Sequence, residues 1–102
     1  MDGAVVAGDL PANDTVHHDL AVAVITPVGT FPGDDDFRRV PETEIVARVL
    51  EQAARKLKLT NTADWVAHAD GRHLNTHETF KANGLRGICE IEWHKHEGGG
   101  GA

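Results

Sequence analysis

The residues able to do chemistry in this chain fall into three groups. The first is Glu97-Gly98-Gly99-Gly100-Gly101-Ala102, four consecutive glycines one residue from the C-terminus. Glycine has no Cβ and is flexible, so this run cannot pack or pair with force. Two roles fit it: a frayed tail or linker, or a slender thread that carries a carboxylate into a narrow enzyme channel for activation. The second group is the seven histidines, His17, His18, His68, His73, His77, His94 and His96. His94-x-His96 puts two rings on one side of an extended strand, a spacing compatible with metal, but two ligands do not make a structural zinc site. The expectation is that no metal is bound. The third is the single cysteine, Cys89. A nucleophilic thiol needs a histidine or a helix N-terminus beside it, and the sequence offers neither. No Ser-His-Asp or Cys-His arrangement is suggested, so no catalytic residue is assigned.

Composition bounds the rest. The 102 residues suit one small domain, with 40% hydrophobic and 25% charged residues. Ten Lys and Arg stand against 16 Asp and Glu, a net charge of −6. That balance argues against nucleic acid and anionic membrane surfaces as partners. No apolar run approaches the roughly 20 residues needed to span a bilayer. The N-terminus has no basic region followed by a long apolar core, so a secretory signal is not expected. One cysteine allows no internal disulfide. A cytoplasmic monomer is the expectation. Asp34-Asp35-Asp36 reads as a solvated acidic turn, because a calcium loop spaces its carboxylates differently.

The elements that would position these groups follow from periodicity. Residues 1–18 carry Gly3, Gly8, Pro11 and Asn13 without a sustained period, and read as a flexible arm. Leu20 to Ile25 is nearly all apolar with β-branched residues, a central strand. Thr26 to Gly33 breaks it. Phe37-Arg38-Arg39-Val40 is a second strand. A long helix follows, with Thr43 as its N-cap and acids suited to the positive end of its dipole. Ile45, Val46, Val49, Leu50, Ala53 and Leu57 give it an apolar stripe. Trp65 to Ala69 is a strand, Asp70-Gly71 a tight turn, and His73 to Asn75 a short return strand. Thr76 to Gly84 holds a short helical turn, with Phe80 and Leu85 as core anchors. The last strand runs from about Gly87 to Trp93. Its period of two puts Cys89, Ile91 and Trp93 on the core face, and Ile88, Glu90 and Glu92 on the other. Cys89 is then a buried thiol.

This order, with glycines after the last strand, resembles the ubiquitin-like β-grasp fold over about Leu20 to Gly101. The features that carry it are Val40-Pro41 before the helix, the hairpin from Trp65 to Leu74, the segment Thr79-Phe80-Lys81-Ala82-Asn83-Gly84-Leu85 before the final strand, and the glycine tail. The group it is most similar to is the ubiquitin-like proteins of bacteria that are encoded beside activating enzymes, conjugating enzymes and JAB-type peptidases. The resemblance implies an α+β fold: a mixed four- to five-stranded sheet with one long helix packed across it. It implies a flexible arm (1–18), a β-grasp domain (19–94) and a flexible glycine-rich tail (95–102).

It also implies a role as a protein modifier rather than an enzyme. A terminal glycine carboxylate, here Gly101 once a peptidase has cut between Gly101 and Ala102, is adenylated with ATP by the partner activating enzyme. It passes as a thioester to a conjugating enzyme and then to target proteins. The chain itself needs no cofactor. Gly98, Gly99 and Gly100 thread the channel, and Trp93, His94, Lys95, His96 and Glu97 form the stem the activating enzyme recognises. The run His94-Lys95-His96-Glu97 departs from the arginines that precede the glycines of ubiquitin, which implies a dedicated activating enzyme. The apolar patch that ubiquitin shows to its readers is replaced near Glu90 and Glu92. A sulfur carrier with a terminal thiocarboxylate and a non-conjugated β-grasp binding module are the alternatives.

Overall fold

The computed structural model describes residues 19–96. The arm (1–18), Glu97, Gly98, Gly99, Gly100, Gly101 and Ala102 lie outside the described residues. The described residues form six strands and one helix: β1 (Asp19–Thr26), β2 (Gly29–Phe31), β3 (Arg38–Pro41), α1 (Val46–Leu57), β4 (Trp65–Ala69), β5 (Arg72–His73) and β6 (Ile88–Lys95).

β1 and β6 form the centre of one mixed sheet. They run parallel, with Val22 opposite Cys89 and Val24 opposite Ile91. β6 pairs antiparallel with β4 on its other side, and β5 closes that edge. β2 and β3 both pair antiparallel with β1, β2 along Val24 to Thr26 and β3 along Asp19 to Val22. Together they occupy one flank of β1, separated by residues 32–37. The sheet therefore has six strands, more than the four or five expected. The extra one, β2, lies inside the segment expected to break the chain. Its hairpin turns on Pro27 and Val28, and the buried Thr26 hydroxyl holds it. That hydroxyl donates to Gly29 O at 2.8 Å and accepts from the N–H groups of Val28 and Gly29. A hydroxyl with three partners at the turn can be buried at little cost.

The long helix crosses one face of the sheet and buries Val46, Val49, Leu50 and Ala53. Leu20, Val22, Val24, Phe31, Val40, Ala67, Ala69, Leu74, Cys89, Ile91 and Trp93 complete the core with Phe80 and Leu85. Phe80, fully buried, and Leu85 are the anchors the sequence indicated.

The start of the helix differs from expectation. Thr43 is not the N-cap. Ile45 occupies that position without a side-chain cap, and no acid lies in the first turn. The physical reason is tertiary. Val46 N–H donates to Glu78 O at 3.0 Å and Ala47 N–H to Thr76 O at 2.8 Å. The open donors of the first turn thus find backbone carbonyls from a distant loop, so no side chain has to cap them. The same loop is stitched to the helix approach through Phe80 N–H to Glu44 O and Lys81 N–H to Glu42 O, both 2.9 Å. The helix ends at Lys58 with φ 59°, in the left-handed region. Leu59 N–H reaches back to Ala54 O at 2.8 Å and Lys58 N–H to Arg55 O at 3.3 Å, a Schellman closure.

Two more boundaries shift. β3 starts at Arg38 rather than Phe37, which is left exposed. The return strand is Arg72–His73, not His73 to Asn75. The segment from Thr76 to Gly84 holds the short helical turn expected, as a run of hydrogen-bonded turns with no longer helix. Asn83 N–H bonds Thr79 O, and Leu85 N–H bonds Phe80 O across Gly84, whose φ of 76° lets the chain reverse.

Candidate functional site

β6 is the last described strand before the glycines in sequence, and its residues are fixed on both sides. Trp65 pairs with Lys95, Val66 with His94, Ala67 with Trp93 and His68 with Glu92. β6 runs through His94 and Lys95, two residues beyond the expected end of the strand. Trp93 is 5% exposed and meets Trp65 edge to face, ring centroids 5.1 Å apart. Its side chain therefore anchors the end of β6 from the core side. His94 is half-buried, while Lys95 and His96 are exposed. Beside the stem lies a shallow hollow of about 310 Å³ lined by Ile25, Thr26, Pro27, Glu92, Trp93 and His94. The β1–β2 turn and the stem are thus one continuous surface.

The sheet face turned away from the helix is polar where its strands end. The period of two places Glu90 and Glu92 there, both exposed, as the sequence indicated. Ile88, 73% exposed, and Ile25, 37% exposed, are the exposed large apolar residues of this face. Three histidines join the acids. His68 stacks on His73 with centroids 4.2 Å apart and planes at 27°, and on His94 at 5.6 Å and 19°. Sequence reasoning named all three histidines but did not bring these rings together. The signal was available. Asp70-Gly71 is a two-residue turn, so the residues two before and two after it must face each other.

Cys89 sits on the core face, 5% exposed. Burial, reinforced by the negative charge of Asp70, pushes its thiol up to about 11. A thiol held protonated is a poor nucleophile, in accord with the core role assigned from the sequence. Among the described residues no three His, Cys, Asp or Glu groups already surround a common metal position. No helix of the described residues is long and apolar enough to cross a membrane.

A parallel pair of central strands, antiparallel flanks and one helix across a single face define an α+β β-grasp domain. Solved structures are similar to it over most of its length. A solution structure of a ubiquitin-like domain from an Arabidopsis thaliana protein matches at a TM-score of 0.55 and 20% identity, covering 79% of this chain and 80% of that one. The solution structure of an N-terminal ubiquitin-like domain from another protein matches at 0.55 and 16% identity, covering 89% and 88%. No family model matches the chain, and no curated protein matches it in sequence. The fold is the ubiquitin-like β-grasp.

Proposed function

We propose that this chain is a ubiquitin-like protein modifier, of the kind that in bacteria works with its own activating enzyme, conjugating enzyme and JAB-type peptidase. The observation that carries the reading is the junction of β6 with the glycine run. A strand clamped between β1 and β4 is followed in sequence by one residue past His96 and then Gly98-Gly99-Gly100-Gly101. A rigid stem followed by residues without side chains suits a carboxylate that must be delivered through a narrow channel. In this reading a peptidase cuts after Gly101, and the activating enzyme adenylates the exposed carboxylate with ATP. The carboxylate then forms a thioester with that enzyme's cysteine and moves through a conjugating enzyme to target proteins. His94, Lys95, His96 and Glu97 are what the activating enzyme reads. The polar outer face, with Glu90 and Glu92 exposed, suits dedicated partners better than readers of an apolar patch.

The test is to incubate the chain ending at Gly101 with its activating enzyme and ATP. The expected product is a reductant-sensitive thioester, absent when Gly101 is deleted. Equal charging of the deleted form overturns the reading. Unreacted protein carrying a mass shift of one oxygen-to-sulfur exchange identifies the sulfur-carrier alternative.

A second reading has its own support. The similar solved structures are ubiquitin-like domains within other proteins. A non-conjugated binding module would use the sheet face or helix to hold a partner, and the glycines would be a spacer. In that case bulky residues at Gly100 and Gly101 leave partner binding unchanged.

A further inference from the structure

β6 outlasts its neighbour β1, and the mismatch leaves a short open strand edge. The pairing of β1 with β6 ends at Ile25 and Glu92, whereas β4 holds β6 as far as Lys95. Two bonds show which backbone groups face the open side. Leu74 N–H donates to Ala67 O at 2.9 Å, so the Ala67 carbonyl points toward β5. Ala67 and Trp93 are then a non-hydrogen-bonded pair, and the N–H and C=O of Trp93 point away from β4. Gly87 O accepts from Ala21 N–H at 2.9 Å, so the backbone of Gly87 faces β1. By the alternation of the ladder, Trp93 and Lys95 face the same way. On β1 the alternation runs from Ala21 through Ala23 and Ile25 to Pro27. Proline has no N–H to give, and the chain turns there into β2. Trp93 C=O and Lys95 N–H are therefore without a strand partner among the described residues, while Lys95 O is met by His94 Nδ1 at 2.9 Å.

We propose that this edge takes an extended, basic and apolar segment of a partner protein as an added strand. Backbone is the natural complement of an open carbonyl and an open N–H set on a strand edge. The hollow of about 310 Å³ beside the edge carries Ile25 and Pro27 on its walls and Glu92 at its rim. An apolar side chain of the segment packs on Ile25 and Pro27, and a Lys or Arg next to it meets Glu92. Charge selects this occupant over a second copy of the chain. The protein carries a net charge of −6, so self-pairing at this edge brings like charges together. The surface lies on described residues alone and does not depend on the conjugation of the glycines.

The experiment has two parts, both on the whole chain. In amide hydrogen exchange, His94 N–H, at a bonded rung with Val66, is expected to exchange slowly and Lys95 N–H fast; equal protection of the two overturns the proposal. The second part is an NMR titration with a short end-blocked synthetic peptide of valines flanked by lysines, and with the same peptide methylated at every backbone nitrogen. The first peptide is expected to shift the amide signals of His94 and Lys95 and to slow exchange at Lys95. The methylated peptide, which cannot donate to Trp93 O, is expected to shift neither. Ile25→Ser and Glu92→Gln change exposed side chains and each weaken binding roughly two- to tenfold, while His77→Asn leaves it unchanged. No shift, shifts scattered over the acidic surface, or shifts that survive methylation overturn the proposal. So does a dimer seen by sedimentation that the peptide fails to disperse.

Discussion

Cys89 shows how one position settles between two roles. Its place on the core side of β6 follows from the alternation of Ile88 to Trp93, and the structure buries it as that pattern requires. Burial favours the neutral thiol. The folded state therefore holds its proton to about 11, against an ordinary value of 9.0. A group whose folded value is raised contributes stability that is complete below the unfolded value and is lost as pH rises through the folded one. The window is accordingly pH 9 to 11, and the whole effect is at most about 2–3 kcal/mol. Urea unfolding of the native chain is expected to lose more stability across that window than Cys89→Ala does, and parallel losses would refute the assignment. A thiol reagent at pH 8 should label the native protein slowly and the unfolded chain at once. The histidines are the counterexample at this scale. Their types were plain in the sequence, but the stack of His68, His73 and His94 depends on three strands meeting.

At the scale of elements, local pattern told where structure would form and tertiary contact decided where it stopped. The apolar stripe of α1 and the Asp70-Gly71 turn were legible, because both signals lie within one short window. The start of α1 was not, because its first N–H groups bond to carbonyls of Thr76 and Glu78, some thirty residues downstream in sequence. β2 was also hidden. Its three residues, set between Pro27-Val28 and Pro32, carry no period, and only pairing with β1 makes them a strand. The loop that caps α1 is itself held by Asn83. Its amide accepts from Asn75 N–H at 2.8 Å and donates to Asn75 O and Thr79 O, both at 2.9 Å. Asn83→Ala removes all three bonds and is expected to cost about 1–3 kcal/mol. Its specific signature is faster hydrogen exchange at the amides of Val46 and Ala47, which lose a firmly held cap. If those amides keep their protection while Asn75 and Thr79 loosen, the cap does not depend on Asn83.

For the whole molecule, the layout of one helix on a mixed sheet was readable because each element carries its own signal and few arrangements join them. The parallel pairing of β1 with β6 is the long-range fact that organises the rest. It puts the first and last described strands at the centre, and the second of them precedes the glycines in sequence. The polar outer face was read from Glu90 and Glu92 alone, and its histidines were missed because the residues that build it come from β4, β5 and β6 together. The central claim is that the domain is a handle and the glycine run a thread whose narrowness is functional. Pyrophosphate exchange from ATP by the activating enzyme tests this most directly, comparing the chain ending at Gly101 with Gly100→Trp in the same background. The account predicts robust exchange with the first and little or none with the second, while the circular dichroism of both stays the same. Equal exchange by the two, or none by either, would contradict it.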